Sequence, residues 1–446
     1  MRSLPPYDGS WASSTERDRF GRGATLTTAS PDRANERHRP LTSWFASLQA
    51  ALHRPLTCYY LLLAASGLLL TIGLIMVLSA SSVWSYQQTG DAYQIAKRQL
   101  MWVALGVPSA FVASRLPERA LRRLAWPGYF VAIGLLAATQ VPGLGTTIHG
   151  NTNWLGVGPF VIQPSEIAKL ALILWAAHIY ARKESLLKDW KHCIVPVLPG
   201  VALATLLVLW GGDLGTALVL FAILLGMLWV VGAPMRLFIL GISAVSVMAL
   251  WLASTNTERR ERLLTFTDPF QDFHNTGWQP AHGLYALASG GWFGQGIGAS
   301  QQKWGYLPEA QTDYIFAVLG EELGLLGTLL VLVLFLTIAY AAIRVAVATE
   351  KPFVRYMSFG IVIWLLGQMI INVGMVLALL PVIGIPLPLV SYGGSSLVPS
   401  LVALGLLIGF ARREPEAASA LAARRRNRSA GLSASSSPRT KAGWRS

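Results

Sequence analysis

The sequence predicts an all-α polytopic membrane protein with about ten transmembrane helices and a long extracytoplasmic loop between the seventh and eighth. Three observations carry that prediction. Of the 446 residues, 53% are hydrophobic and only 13% are charged, and the mean hydropathy is +0.48, far from the balance of a soluble globular chain. Apolar stretches near the length that crosses a bilayer recur along most of the chain. Basic residues collect in every second connection between them, as expected for the cytoplasmic side. The net charge of +14 lies largely in tails and short loops, so it reports topology rather than nucleic-acid binding.

Residues 1–54 are polar and rich in Ser and Arg, with no apolar run near Met1 that would suggest a cleaved signal. They read as a disordered basic cytoplasmic tail in which "LTSWFASLQAALH" could lie along the membrane surface. Apolar segments follow at 58–80, 99–115, 121–141, 165–181, 194–211, 214–231, 235–253, 313–345, 356–381 and 387–411, within a membrane domain spanning 55–411. Residues 412–446, with "RRRNRS", return to basic low complexity. Arg115, Arg119, Arg122 and Arg123 follow the second segment, and Arg182, Lys183, Lys188 and Lys191 follow the fourth. Arg344, Lys351 and Arg355 flank the connection after the eighth, so these loops and both termini are assigned to the cytoplasm. Several of the alternate connections are uncharged, and "VPGLGTTIHGNTNWLGVGPFVIQ" has no Lys, Arg, Asp or Glu. Lys97 and Arg98 are an exception on the outer side, and the loop from about 254 to 312 holds basic residues too, although long loops count for little in this rule. Cys58 and Cys193 have neither metal-type nor CxxC spacing, and no internal repeat suggests a transporter of duplicated halves.

Unusual polar groups gather at the outer ends of these segments. "LPEAQTDYIFAVLGEELG" puts Glu309 and Asp313 at the mouth of the eighth, with Glu321 and Glu322 deeper. "QPSEIAKL" puts Glu166 and Lys169 one turn apart on one helix face, where they could be a functional pair or a buried structural ion pair. Asp213 in "GGDLGTAL" reads equally as chemistry or as a helix N-cap. "PLPLVSYGGSS" places Ser391 in Gly/Pro-rich irregular backbone, which at membrane depth must be buried in protein or line a cavity. Arg259, Arg262 and Lys303 in the long loop could pair with diphosphate or simply be solvated. The glycines of "ASGGWFGQGIGAS" lack the strand and helix a nucleotide loop needs. At helical spacing Ala317, Gly320 and Gly324 form a small-residue stripe below Asp313, which would allow either close helix packing or a groove for a lipid chain. A surface carboxylate, a groove beneath it and nearby cations suggest chemistry on a lipid diphosphate, with a proton-relay transporter as the rival.

Taken together and in order, "QPSEIAKL", "GGDLGTALV", "RRERLLTFTDPFQD", "SGGWFGQGIGAS", "LPEAQTDYIFAVLGEELG" and "LPLPLVSYGGSS" closely resemble the SEDS family of cell-wall polymerases, over residues 58–411. The resemblance implies a peptidoglycan glycosyltransferase that polymerises lipid II outside the bacterial cytoplasmic membrane. It implies work beside an FtsI-like class B penicillin-binding protein and other divisome proteins, and a divalent cation, Mg or Mn, at a site the sequence does not identify. It also implies that Asp313 is catalytic, and that Glu166, Lys169 and Asp213 match family motif positions. The long tails and the wording around Asp313 favour the division-associated branch, acting at the septum, over the elongation-associated one. A lipid II flippase and a noncatalytic activator of the penicillin-binding protein are the other readings that the motifs allow. Asn151, Asn153 and Ile383 stand where many members carry basic residues, so no diphosphate contact carries over to them.

Overall fold

In the computed structural model, residues 54–148, 151–157, 160–254, 266 and 268–423 are described. Both tail extremities, the "LTSWFASLQAALH" segment, and Arg259, Arg260 and Arg262 lie outside the described residues. The helices, in chain order, are α1 (Thr57–Thr89), α2 (Gln94–Arg115), α3 (Glu118–Ala138), α4 (Pro164–Arg182), α5 (Trp190–Ile194), α6 (Val197–Trp210), α7 (Leu214–Val231) and α8 (Met235–Ser254). They continue with α9 (Trp278–Gly290), α10 (Ile315–Ala348), α11 (Pro352–Val376) and α12 (Gly394–Arg412).

Each of the ten apolar stretches carries a helix, and the boundaries follow local chemistry. Gly90, at φ 75°, stops α1 in the left-handed conformation and donates its N–H to Tyr86 O. Pro117 forces Leu116 into an extended backbone, and α2 and α3 meet there at a bend of 120°. Pro164 and Pro352 open α4 and α11, where a missing N–H costs least. Among the described residues six helices are long and apolar enough to cross a membrane, or seven if the bent α2–α3 pair counts as one span. The α4 helix is less apolar than α6 and α7 because Glu166, Lys169 and Arg182 sit within it.

Between α3 and α4 the uncharged connection folds into a three-stranded antiparallel sheet, β1 (Gly145–Ile148), β2 (Asn151–Val157) and β3 (Phe160–Ile162). Thr146 pairs with Trp154, and Gly156 pairs with Val161. The sheet is the one departure from an all-helical reading among the described residues. Thr152 N donates to Gly211 O at 2.9 Å, and Ser395 Oγ donates to Val161 O at 3.3 Å. The first bond ties the sheet to the end of α6, the second to the start of α12.

Close helix packing depends on small residues. A Cβ on Gly405 would lie 2.2 Å from Ala110 O, and one on Gly409 would lie 2.5 Å from Ser114 O. This small-xxx-small face lets α12 lie directly on α2. Gly405→Val is expected to destabilise the fold by about 1–3 kcal/mol, because α2 must move to admit the side chain; thermal unfolding in detergent checks it. The described residues run on past Arg412, where the C-terminal tail was expected to begin, to 423. Arg413 donates to Ser114 O at 3.2 Å, residues 415–423 are helical, and Ala417 is fully buried.

Candidate functional site

The segment between α11 and α12 builds the site. Its Pro and Gly residues cannot continue a helix, and its apolar side chains drive it into the protein: Ile385, Leu387, Leu389, Val390 and Ser391 are all buried. It passes against Gly73 of α1, where a Cβ would meet Leu389 O at 2.3 Å. Among the described residues, the three non-glycine positions with positive φ are Glu309, Ala378 and Leu389. All three lie in the two loops that form the site, where backbone strain commonly concentrates.

Two hydrogen bonds join this segment directly to the loop before α10, and Asn372 of α11 bridges the two. Ser391 Oγ donates to Thr312 O at 2.6 Å and accepts from Leu387 N at 2.8 Å. Tyr392 N donates to Gln311 O at 2.9 Å, and the fully buried Asn372 of α11 donates through Nδ2 to Asp313 O, at 2.8 Å. The same amide nitrogen donates to Ile385 O at 2.8 Å. Gln99 of α2 braces the far side, donating to Ser391 O and accepting from Gly393 N. Sequence reading missed Asn372 and Gln99; a buried amide inside an apolar helix was the available signal. Ser391→Ala leaves Leu387 N and Thr312 O unpaired in a buried place, so a loss of about 1–3 kcal/mol is expected, measured by thermal unfolding.

Asp313 emerges from this brace half-buried, two residues before α10 begins. Its carboxylate lies beside Gly384, where a Cβ would be 3.5 Å from Oδ2. Among the described residues no donor is hydrogen-bonded to that carboxylate. Burial, reinforced by the negative charges of Glu309 and Asp213, raises its pKa to about 7 from the ordinary carboxylate value. Glu309 is held by Thr312, whose Oγ1 donates to Oε2 at 2.6 Å. Asp213 caps α7: Oδ1 accepts from Thr216 N at 2.8 Å, and Oδ2 accepts from Thr216 Oγ1 and Gln163 Nε2. The capping alternative for Asp213 is therefore realised, while its charge still acts on Asp313.

The structure thus groups Asp313, Glu309 and Asp213, with Ser391 as a clamp that has no free hydrogen-bonding role. Three other expected contributors, Lys303, Glu166 and Lys169, have partners elsewhere. Lys303 Nζ is buried and donates to Glu322 Oε1 at 3.2 Å, Ser79 Oγ at 3.0 Å and Gly298 O at 2.6 Å. Glu166 and Lys169 form a buried ion pair at 2.7 Å, with Lys169 also over the Trp364 ring. Lys303 therefore has its donors committed to the protein, and Lys169 is held on Glu166 Oε1, while Glu166 Oε2 is buried with no hydrogen-bond partner among the described residues. Arg259 and Arg262 lie outside the described residues.

The small-residue stripe below Asp313 serves packing, not a groove. Ala317 is fully buried, a Cβ on Gly320 would lie 2.4 Å from the Leu287 side chain, and one on Gly290 would lie 1.9 Å from Gly320 O. The α9 helix fills that face. An apolar cleft of about 270 Å³ instead opens between α6, α7 and α8, reaching from Leu214, next to Asp213, down to Phe221 and Leu224. Among the described residues no group of three or more His, Cys, Asp or Glu could hold a metal ion. The described residues thus do not form a cage for the divalent cation.

The comparisons agree with this architecture. The FtsW/RodA/SpoVE family model, described as "Cell cycle protein", matches residues 59–415. The "Probable peptidoglycan glycosyltransferase FtsW" of Mycobacterium tuberculosis is 40% identical over 376 residues, covering 84% of this chain and 72% of that protein. "Stage V sporulation protein E" of Bacillus subtilis is 38% identical over 353 residues, covering 79% of this chain and 96% of that protein. Among solved structures, a chain from work on "polymerization and crosslinking by a peptidoglycan synthase complex" aligns with a TM-score of 0.63 and 28% identity, covering 79% of this chain and 97% of that one. The rod shape determining protein RodA of Thermus thermophilus aligns with a TM-score of 0.57 and 27% identity, covering 79% and 96%. With its membrane helices, its braced carboxylate and its match across most of its length, the chain belongs to the FtsW/RodA/SpoVE family.

Proposed function

We propose that this chain is a peptidoglycan glycosyltransferase that polymerises lipid II into glycan strands on the outer face of the bacterial cytoplasmic membrane, during septal wall synthesis. The names of its relatives support the reaction class and the division role. The basic residues in every second connection support the orientation, with both termini in the cytoplasm and Asp313 outside, Lys97, Arg98 and the long loop being the exceptions. The relative studied for polymerization and crosslinking in one complex supports an FtsI-like class B penicillin-binding protein as partner, with other divisome proteins around it.

The observation that carries the reading is Asp313: a half-buried carboxylate with no hydrogen-bonded donor among the described residues, raised to about 7. Such a group is poised to accept a proton near neutral pH. In the proposed step Asp313 takes the proton of the acceptor sugar hydroxyl while that oxygen forms its bond to the donor's anomeric carbon. The bond from that carbon to the diphosphate oxygen breaks, undecaprenyl diphosphate leaves with the electron pair, and a single displacement inverts the α-linked donor to a β-linked product. The fixed backbone around Asp313 supplies orientation, because both its carbonyl and that of Thr312 are held from neighbouring elements. The cleft that begins at Leu214 is proposed to take the lipid chain. Any Mg or Mn ion is proposed to arrive on the substrate diphosphate, and no step above runs through it.

The test is polymer formation from purified lipid II in liposomes, with the matched penicillin-binding protein present and conventional glycosyltransferases absent. Glycan strands are expected. No polymer from an intact complex would overturn the reading, and lipid II translocation without polymer would support a flippase instead.

A further inference from the structure

We propose that residues 291–306 form a lipid-seated element, whose exposed aromatic side chains rest in the boundary between headgroups and acyl chains of the leaflet nearer Asp313. The evidence begins at Gly324, whose φ of 68° and ψ of −167° break α10. The backbone groups released there are taken up by the loop: Leu325 N donates to Gly291 O at 2.9 Å and Leu326 N to Trp292 O at 3.2 Å. In return Gln295 N and Gly296 N donate to Glu321 O and Glu322 O. Irregular backbone is tolerated beside a membrane when its polar groups are paired in this way.

A ruler along α10 sets the depth. The twenty residues after Gly324, ending at Arg344, rise about 30 Å at about 1.5 Å each, which is about the thickness of a hydrocarbon core. Arg344, at one edge, places Gly324 and the bonded Trp292 at the other. Trp292 is 67% exposed, Phe293 80%, and Trp304 64%. Ile297 and Tyr306 are also exposed, and the patch continues onto Leu325, Leu326, Leu329 and Leu330 of α10. The one charged residue in 291–306 is Lys303, and it is turned inward onto Glu322. An uncharged face rich in Trp and Tyr at this height matches the aromatic belt of membrane proteins. Because residue 306 is three positions from Glu309, the element also fixes the height of the Asp313 loop relative to the headgroups.

The test uses the full chain alone in phosphatidylglycerol–phosphatidylcholine vesicles, with Phe293→Cys or, separately, Ile297→Cys carrying an environment-sensitive fluorophore. Cys58 and Cys193 are free and buried, and labelling of the unsubstituted chain measures their background. At both positions, emission to the blue of the same dye in buffer is expected, with stronger quenching by nitroxides on the upper acyl chain than by aqueous iodide. Water-like emission quenched fully by iodide at both positions would overturn the proposal. A blue shift that arises only when the crosslinking partner is added would also overturn it, marking the patch as a protein-docking surface.

Discussion

Asp313→Asn is expected to lower the rate of glycan polymerisation by about 10²–10⁴-fold, the usual loss when a general base is removed. The substitution keeps the shape of the side chain and leaves the bond from Asn372 to the residue 313 carbonyl in place. The fold should therefore survive, and it should gain stability above neutral pH. The sign follows from linkage: a carboxyl whose folded pKa is raised to about 7 from its ordinary value of 3.8 binds more protons folded than unfolded between those values. Its contribution favours folding most below that window and is lost as pH rises through it. Asn carries no such cost. Lower activity with equal or higher thermal stability at pH 8, measured on the same preparation, is the expected pair of results. Parallel loss of both would mean that Asp313 holds the fold.

Lys303→Met is expected to destabilise the protein by about 3–5 kcal/mol, because it leaves Glu322 buried without its cation. Glu322 is fully buried, and its Oε1 also accepts from Ser79 Oγ at 2.6 Å and from Ser300 N at 3.3 Å. Those neutral donors do not cancel the charge. The double substitution Lys303→Met with Glu322→Gln should recover most of the loss, since both charges are then gone. Thermal unfolding of the two single variants and the double variant in one detergent measures the coupling. If the two single losses simply add in the double variant, the pair is not coupled.

Much of this fold was legible because long apolar runs and basic connections reflect the bilayer, which acts on every residue of a span. The cap at Asp213 was legible for a different reason: its partner Thr216 is close in sequence. The β1–β3 sheet was not, because its short strands sit among glycines and are held by Gly211 and Ser395, which are distant in sequence. At the site, Asp313 and its acidic neighbour Glu309 stood out as carboxylates at the mouth of an apolar segment. The brace around them did not. Asn372, Gln99 and Ser391 act through backbone carbonyls and amides brought from other helices, a role no local pattern encodes. The pairing of Lys303 was not legible for a related reason: its partners, Glu322 and Ser79, are 19 and 224 positions away. Likewise, the stripe of Ala317, Gly320 and Gly324 could not reveal that α9 and the following loop cover it.

The most direct test of the central claim is the initial rate of lipid II polymerisation by the wild-type complex as a function of pH, at saturating substrate. With Asp313 as a base of pKa about 7, the rate should rise about tenfold per pH unit on the acid side and level off above neutrality. A rate that is flat from weakly acid to weakly alkaline pH, or that falls as pH rises through neutrality, would contradict Asp313 as the proton acceptor.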